Sequence, residues 1–589
     1  MRQKGRKVHW RTLSLSLVGA CLLIVASLNF AGAQPNTSGN RAASAPRVYT
    51  PTRRAGKLAG IVDLAKTPKL TPSSQPPAVS APIVTTDSLT PEQRQAYVNS
   101  VKANPQLKNP HPNTRSGDGK SPSFVGGGVT PLVTKNVDGL SKTTQSGGAF
   151  NFPDPAIATD LSYVMEGVNG AIAIYRASTG ALQFGPYATS SFFAPVYSSG
   201  DSFYNGQMYY DVMRDRWVVS YLQFTGGLTG VTYLDIAISV SNSPTQPTPG
   251  GQYYIYQLDT NFTANVVPDF CYRMTMGADY WGLYFACRNN NSQGHSFMGN
   301  TTLALGKTPA YSGGTAFVWY INNALQVGGG GAIAPAVSAA IEEGVQDAEF
   351  FISTDVDVNL GVRSNMGLCA WTNLNNMTDT TAPTISCQDV DLGLPYSYPD
   401  AAQQPGGPVL QSDIGPKQVY YKAGRLYFAQ TTLLNDNNGH HEGIYWAEVQ
   451  PQLTTKAAHT PQWVNGAIVR QVAYFDFGST YDLFDPTLMG TDEGDITLVY
   501  NMSGSTLYPR IEMTGRKATD APNTLGQGGN YVLIANGTHT QTMSAFGENS
   551  SCAIPLNSVT RGTIWCAAQY TGSVPAPGWN TRLFSFRTE

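Results

Sequence analysis

Arg216-Trp-Val-Val-Ser-Tyr221 and Leu234-Asp-Ile-Ala-Ile-Ser239 are the stretches that decide the fold class. Both are short and rich in β-branched or aromatic residues, and Gly-, Asn- and Pro-containing segments separate them from their neighbours, as expected for strands joined by turns. The same pattern recurs at residues 171–175, 282–286, 425–429 and 496–500. The sequence therefore predicts an all-β fold.

The strand-like stretches form seven clusters, at about residues 150–200, 204–245, 266–323, 346–392, 415–450, 465–517 and 530–589. A cluster of about 60 residues accommodates a four-stranded propeller blade with its loops. We therefore predict a seven-bladed β-propeller over residues 140–589, with six or eight blades as the alternatives; a pair of β-sandwiches is the competing architecture. The Ala-rich stretch 332–343 is expected to be a helical loop insertion.

The first thirty-three residues have the features of a secretory signal peptide. Five basic residues precede an apolar run from Leu13 to Phe30, and Ala31-Gly32-Ala33 provides a small-residue cleavage site before Gln34. Val18-Gly19-Ala20-Cys21 loosely resembles a lipoprotein processing site and is the alternative. The prediction is an exported protein, secreted, periplasmic or on the cell surface, with no transmembrane segment after cleavage.

Residues 34–128 are rich in Pro, Ser, Thr and Ala, and apolar residues recur there at no regular period. This composition predicts a disordered arm, whose deletion should leave the body folded. A short helix is expected near residues 90–103, because Thr90, Pro91 and Gln93 are suited to the N-cap, first and third positions.

Six cysteines remain after cleavage. In an exported chain, closeness in sequence favours three disulfides, Cys271–Cys287, Cys369–Cys387 and Cys552–Cys566. Buried free thiols are the alternative. Zinc is disfavoured, because the sequence contains no C-x-x-C.

Charge excludes one class of partner. Residues 146–589 contain 18 basic and 34 acidic side chains, a net charge of −16. Nucleic acid phosphates require the opposite sign, so we expect no nucleic acid partner.

Three acidic or amide-rich loops could bind Ca²⁺, which prefers six to eight oxygen ligands. Their candidate ligands are Asp355, Asp357, Asn359, Asp436, Asp492 and Asp495. Solvated turns are the alternative, because Asp and Asn favour turns for backbone reasons. The neighbouring His440-His441-Glu442 is expected to be a polar hairpin tip.

Several regions resemble secreted bacterial β-propellers of the broad sialidase-like class. The likeness lies in Asp154-Pro155, in Tyr209-Tyr-Asp211 with Asp215-Arg216-Trp217, in Gly277-Ala-Asp279-Tyr-Trp281, and in the segment from Asp485-Pro486 to Trp579-Asn-Thr-Arg-Leu-Phe-Ser-Phe586. The resemblance implies the fold over most of residues 150–589 but little about chemistry. True sialidases have repeated Ser-x-Asp-x-Gly-x-x-Trp turns and an arginine triad, and neither is recognisable here.

No G-x-S-x-G, H-E-x-x-H or P-loop motif occurs, and the catalytic residues cannot be assigned. Loop aromatic residues could stack on sugars or anchor a protein partner, and the candidates are Trp281, Trp446 and Trp463. We therefore predict a monomeric, non-enzymatic binding or adhesion module for polysaccharide or a surface protein. The alternative is a carbohydrate-active hydrolase or lyase that uses paired carboxylates.

Overall fold

The computed structural model describes residues 46–70, 95, 99, 104–109, 113, 131–144, 152–160, 162–225, 231–244, 251–262, 269–291, 297–322, 332–342, 348–357, 362–412, 415–436, 439–454, 460–526, 529–547, 550–553, 563–572 and 578–587. All of them belong to one compact unit, Ala43–Glu589. The signal peptide lies outside the described residues.

The described strands after the first two fall into seven four-stranded antiparallel groups, here called sheets 1 to 7; pairings through the first two strands and the first strand of sheet 4 join sheets 2 to 5 into one continuous sheet. The first strands are β1 (Arg47–Tyr49), β2 (Thr52–Asp63) and β3 (Leu132–Ser141). Sheet 1 contains β4 (Ala156–Thr159), β5 (Tyr163–Val168), β6 (Ala171–Arg176) and β7 (Leu182–Ala188); sheet 2 contains β8 (Ser202–Asp211), β9 (Arg216–Phe224), β10 (Thr232–Ser239) and β11 (Gln252–Asp259); sheet 3 contains β12 (Asp269–Ala278), β13 (Gly282–Asn291), β14 (Phe297–Gly306) and β15 (Ala316–Asn322).

Sheet 4 contains β16 (Ala332–Glu342), β17 (Ala348–Asp357), β18 (Arg363–Thr372) and β19 (Thr384–Tyr396); sheet 5 contains β20 (Val419–Lys422), β21 (Arg425–Asn435), β22 (His440–Leu453) and β23 (Val464–Phe475); sheet 6 contains β24 (Asp482–Gly490), β25 (Ile496–Gly504), β26 (Leu507–Arg516) and β27 (Tyr531–Ala535). Sheet 7 contains β28 (Ser551–Ala553), β29 (Ile564–Tyr570), β30 (Asn580–Arg587) and β3. Helix α1 (Thr189–Phe192) follows β7, and α2 (Lys307–Tyr311) joins β14 to β15; short 3-10 turns lie at Pro105–Leu107, Lys142–Thr144 and Leu374–Asn376.

Within each sheet, consecutive strands pair antiparallel, which is the strand order of β-propeller blades. The prediction of an all-β fold is confirmed. Two of the boundaries predicted from the sequence are wrong. Residues 464–475 form β23 and complete sheet 5, whereas the pattern assigned them to the next cluster. The body also begins before residue 140, because β3 pairs with β30 from Leu132 onward.

The segment 47–70, here called the N-terminal belt, runs along the outer edges of four sheets. β1 pairs antiparallel with β19, and β2 pairs first with β15 and then with β11. Next to sheet 1, Lys69 bridges Tyr187, and the Leu70 backbone N–H donates to Pro186 O at 2.7 Å. The expectation of a disordered arm is therefore wrong for these residues. An added edge strand needs backbone hydrogen bonds rather than a periodic apolar face, so the composition did not indicate it.

A second part of the expected arm also contacts the body. Leu107 is fully buried in the core shared by sheets 4 and 5. The Asn113 backbone N–H donates to Asp476 O at 3.0 Å. Of the predicted helix near 90–103, Gln95 and Asn99 are described and are helical, with Gln95 Nε2 donating to Asn99 Oδ1 at 3.0 Å.

The Ala-rich stretch is the strand β16, so the expectation of a helix is wrong. It pairs antiparallel with β17, and its last residues pair parallel with β20 and, at Ile341, with Ala278 of β12. Alanine has the highest helix propensity, but propensity is a weak preference, and pairing with three strands overrides it here.

Each sheet packs on its neighbour through an apolar core. Cores join sheets 1 and 2, 2 and 3, 3 and 4, and 4 and 5, and one larger core joins sheets 5, 6 and 7. A further core places Trp565 and Trp579 of sheet 7 against Val164 and Tyr175 of sheet 1. The succession of sheets therefore closes on itself.

Glu166 lies at this seam between sheets 7 and 1. Its buried carboxyl group accepts hydrogen bonds from the Leu140 backbone N–H at 3.0 Å, from the Tyr175 hydroxyl at 2.9 Å and from the Thr581 hydroxyl. Burial raises the pKa of Glu166 to about 7, against the opposing effect of these donors. One carboxyl group thus connects β3 and β30 to the first sheet.

The six cysteines pair as the sequence predicts, in Cys271–Cys287, Cys369–Cys387 and Cys552–Cys566. Each disulfide joins adjacent strands of one sheet, in sheets 3, 4 and 7 respectively. They reinforce individual sheets and do not link one sheet to another.

Candidate binding site

Two turns at the same end of sheets 2 and 3 are each capped by an aspartate. Asp211 is the last residue of β8, and its Oδ1 accepts the Arg214 backbone N–H at 3.1 Å. Asp279 follows β12, and its Oδ1 accepts the backbone N–H groups of Trp281 and Gly282 at 2.7 and 2.8 Å. Asp stabilises such turns because its side chain supplies the acceptor that a backbone carbonyl otherwise would.

Lys307, at the start of α2, connects the two turns. Its Nζ lies 2.6 Å from Asp211 Oδ2 and also donates to Asp279 O, while its backbone N–H donates to Trp281 O at 3.1 Å. The Tyr311 hydroxyl completes the contact by donating to Asp211 Oδ2 at 2.8 Å. The side chains of Lys307 and Asp211 are 0% and 1% exposed.

The electrostatics of this cluster are those of a desolvated ion pair. Burial raises the pKa of Asp279 to about 6, and the nearby Lys307 ammonium opposes the shift. Burial and the Asp211 charge hold the pKa of Tyr311 well above its usual value, so its phenol stays protonated and donates. A buried pair adds little net stability relative to apolar packing, but breaking it costs about 3–5 kcal/mol. Its structural effect here is to fix the two turns relative to each other.

The two turns carry three side chains that we call the platform: Arg214, Tyr280 and Trp281. The Arg214 guanidinium lies 4.2 Å from the centre of the Tyr280 ring, and the Tyr280 and Trp281 rings meet edge to face at 4.7 Å. All three are partly exposed, and the adjacent Met213 is 41% exposed. Aromatic faces next to a guanidinium can stack on sugar rings or anchor a protein side chain.

Of the three predicted binding tryptophans, Trp281 belongs to the platform. Trp446 is fully buried in the core of sheets 5 to 7, so its assignment to a binding surface is wrong: the aromatic residue faces inward from a central strand. Trp463 is partly exposed next to β23, and its backbone N–H donates to Thr454 Oγ1 at 3.1 Å. It belongs to sheet 5 and does not join the platform.

The candidate calcium ligands lie on three different sheets. Asp355 and Asp357 are in β17 of sheet 4, and Asn359 lies outside the described residues. Asp436 accepts the backbone N–H groups of Gly439 and Ser479, and Asp495 accepts that of Ala518. Asp492 Oδ1 lies 3.5 Å from Lys422 Nζ. Among the described residues, no three His, Cys, Asp or Glu side chains are grouped so that they could hold a metal ion.

A second polar cluster, around Glu442, is buried where the sequence suggested a hairpin tip. Glu442 is fully buried, its Oε1 accepts the Ser412 hydroxyl at 2.5 Å, and its backbone N–H donates to Asp482 Oδ1 at 2.9 Å. His441 Nε2 lies 2.6 Å from Asp476 Oδ2, with both side chains buried. The expectation for His440-His441-Glu442 is therefore wrong, because the β22 segment that carries these residues lies beneath other loops.

Sequence reasoning missed Lys307, Glu442 and Asp482 as parts of polar sites. Asp211 and Asp279 contributed only to the resemblance to sialidase-like propellers, and the sequence indicated no role for their side chains. Lys307 follows an ordinary strand and gives no local signal, because the groups it joins lie 96 and 28 residues away in sequence. The available signal was the turn aspartate Asp279 directly followed by two aromatic residues, Tyr280 and Trp281.

Comparison with known proteins gives a weak structural likeness only. No family model and no curated protein matches the chain. Among solved structures, it is similar to a polysaccharide lyase described as a PL25 ulvan lyase, at 12% identity and a TM-score of 0.36, over 78% of this chain and 94% of that one. It is also similar to the endosialidase of phage phi92, at 9% identity and a TM-score of 0.35, over 78% of this chain and 70% of that one. A third similar structure is that of extracellular domains 1–2 of Drosophila Semaphorin 1a, at 9% identity and a TM-score of 0.33, over 79% of this chain and 89% of that one. At these values the comparisons assign no family and no activity, and the fold rests on the strand pairing.

Within the described part of the chain, the helices are too short or too polar to span a membrane.

Proposed function

We propose that this chain is an exported, monomeric, seven-bladed β-propeller that binds polysaccharide through the platform of Arg214, Tyr280 and Trp281. The seven four-stranded sheets, the cores between successive sheets and the pairing of β3 with β30 support a closed ring of seven blades. The predicted signal peptide and the three disulfides support export, because disulfides persist in oxidising compartments.

The observation that carries the proposal is the way Lys307 fixes the platform. A buried ammonium bonded to both turns holds Arg214 and the Tyr280–Trp281 pair in one arrangement before any ligand arrives. Such preorganisation lowers the entropy lost on binding. Polysaccharide is favoured over a surface protein, because three partly exposed side chains form a small surface, whereas specific protein interfaces bury roughly 800 Å² on each partner.

The test is a glycan array on the mature protein, followed by titration of the best glycan against variants. Arg214→Ala and Tyr280→Ala should each weaken binding at least about tenfold, as expected for anchors at the centre of a contact. The matched control is Arg176→Ala, because Arg176 lies 5.6 Å from the Tyr163 ring in a similar pair on sheet 1. Equal affinities for the platform variants and the control would refute the platform. Binding to a surface protein and to no glycan would move the proposal to that class of ligand.

A second candidate function is carbohydrate cleavage by paired carboxylates. It is favoured by Glu442 and Asp482, since the backbone of one donates directly to the carboxylate of the other and both are buried. Burial raises the pKa of each, which suits a general acid. The test is product release from a panel of polysaccharides. Glu442→Gln should abolish it if this function is correct, and Arg176→Ala should not.

We also propose Ca²⁺ binding in one of the three acidic segments, of which the one at the end of β17 has two aspartates, Asp355 and Asp357, two residues apart in sequence. A rise in the melting temperature with millimolar CaCl₂ that EDTA reverses would support it. Asp355→Asn/Asp357→Asn should abolish the rise, and an unchanged rise would exclude this segment.

A further inference from the structure

Two long loops meet above the carboxyl groups of Glu442 and Asp482. The first, here called the lid loop, comprises residues 399–412 between β19 and β20. Ser397 and Tyr398, which precede it, are held by Leu433 O and by the core of sheets 4 and 5. The second, the facing loop, comprises residues 536–547 between β27 and β28. They come from different pairs of sheets, so their contact is not a consequence of local sequence.

The contact between the two loops is specific. Gln404 Nε2 donates to Gln541 O at 2.7 Å, and the Gln541 backbone N–H donates back to Gln404 Oε1 at 2.8 Å. The Gln411 backbone N–H adds a bond to Ser544 O at 2.9 Å. Beneath them, a small apolar cluster forms from Ala402, Leu410, Phe484 and Phe546. This cluster is separate from the larger cores, so the lid loop can detach without opening a core between sheets.

The lid loop is fastened to both carboxyl groups. The Ser412 hydroxyl donates to Glu442 Oε1 at 2.5 Å, and the Gln403 backbone N–H donates to Asp482 Oδ2 at 2.7 Å. Between these two points, Ala402 and Leu410 exchange both backbone hydrogen bonds, at 2.8 and 2.7 Å, which gives the loop a closed hairpin form. Val409 at its tip is 51% exposed.

The charges around Glu442 are mostly of one sign. Asp482 and Asp485 face it from β24, and Asp400 faces it from the lid loop. His440 Nε2 lies 3.4 Å from Asp400, and the neighbouring His441 is bonded to Asp476. Burial, followed by the charge of Asp482, holds the pKa of Glu442 well above its usual value. A second negative charge on this pair is therefore unfavourable while the loop covers it.

We propose that residues 399–412 are a lid over the Glu442–Asp482 pair and that loss of the proton from Glu442 opens it. In the closed state Glu442 is neutral and accepts the Ser412 hydroxyl. Opening admits water, which favours the ionised carboxylate, so higher pH shifts the equilibrium toward the open state. The equilibrium shifts with pH between the ordinary pKa of a glutamate, about 4.5, and the raised pKa of Glu442 in the closed state. The lid is independent of the platform and of whether the pair is catalytic.

Hydrogen exchange of the full mature chain tests the proposal, with rates corrected for the base-catalysed intrinsic exchange. The amides of Gln403 and Gln411 donate to Asp482 and Ser544, which lie outside the lid loop, so they are bonded only while the lid is closed. Their protection should fall with rising pH, by up to about tenfold per pH unit within the window. Amides of the sheet 1 strands β5 and β6 serve as the internal reference and should keep their protection.

Two variants separate the proton from the contact. Glu442→Gln cannot ionise, so its lid should stay protected across the pH range. Ser412→Ala loses the clamp but keeps the titrating group, so its protection should be lower while the pH dependence remains. A wild-type lid whose protection is independent of pH, or a Glu442→Gln lid with the wild-type slope, would overturn the proposal.

A third variant does not rely on replacing a buried acid. A side chain at Gly407 would meet that of Thr540, so Gly407→Cys/Thr540→Cys should form a disulfide between lid and facing loop. With the disulfide formed, confirmed by mass spectrometry, the pH dependence should vanish. Its persistence would mean that the exchange does not report movement of the lid, and would also overturn the proposal.

Discussion

The outer edges of sheets 2 to 4 and those of sheets 5 to 7 are protected in different ways. The belt strands β1 and β2 pair with β19, β15 and β11, so backbone groups that would face solvent are bonded. Within the described residues, nothing pairs with the outer side of β23, β27 or β3. An unpaired edge is a site for pairing with another chain, so the second group of sheets needs another form of protection.

The register of the outer strands shows what that protection is. β11 pairs with β10 in continuous register over residues 253–259, and β15 pairs with β14 in continuous register over residues 318–322. β19 pairs with β18 in continuous register along the part that β1 covers. By contrast, β23, β27 and β3 all contain register shifts against their inner neighbours. Bulges twist an edge away from regular pairing. In sheets 2 to 7, the regular edges are thus covered by the belt and the irregular ones are left open.

The largest effect should come from removing the strand that closes the uncovered group. Deletion of residues 579–589 removes β30, the partner of both β29 and β3, and exposes the core around Trp565. We expect no folded monomer, as judged by size-exclusion chromatography and thermal melting. A monomer with an unchanged melt would mean that the sheets do not form a closed ring.

Deletion of residues 34–70 should have the next largest effect, and it corrects the expectation that the whole arm is dispensable. The sheets should still form, but with a lower melting temperature and concentration-dependent association through the regular edges of β11 and β15. Deletion of residues 34–45 alone is the control, because it leaves β1 and β2 intact. Light scattering at several concentrations distinguishes the two deletions, and identical behaviour would remove the protective role of the belt.

Replacing Glu166 tests the seam by pH. Because its pKa is about 7 in the folded state and near 4.5 in the unfolded state, the proton stabilises the fold below pH 4.5, and this contribution decreases up to about pH 7. The total change is at most about 3 kcal/mol for this fully buried group. Glu166→Gln should remove that part of the pH dependence, measured by urea unfolding at pH 4.5, 6 and 8. An unaltered pH profile would contradict the assignment.

The smallest effect concerns the charges of the belt. Residues 46–70 contain six basic side chains and one acidic one, against an acidic body, and Arg47 Nη2 lies 3.0 Å from Asp389 Oδ1. Both side chains are largely exposed, so Arg47→Ala should lower stability by at most about 1 kcal/mol. The difference should disappear in 1 M NaCl, because the Debye length there is only about 3 Å and exposed charges are screened from each other. A loss that persists in high salt would mean that packing, and not charge, holds this end of the belt.

The sequence could predict the all-β fold because each strand is recorded locally, as in the alternation of residues 216–221. It could not predict the belt, since an edge strand contributes backbone hydrogen bonds that leave little trace in side-chain pattern. β23 was assigned to the wrong cluster because strand patterns alone do not show which neighbour a strand joins. Of the candidate sites, Trp281 was found from its type and turn context. Lys307 was not, because its role depends on groups brought together only by the fold.

The belt and the closing strand β30 also constrain the order in which parts of the chain can fold. Arg47 bonds to a residue 342 positions later, and Asn136 bonds to one 446 positions later. Contacts of such separation make folding slow, because the chain between them must be arranged first. β1 and β3, which are synthesised early, therefore cannot pair with β19 and β30 until those later strands have been synthesised. If the chain is exported, as we propose, and crosses the membrane unfolded, its ring would close only after β30 has crossed.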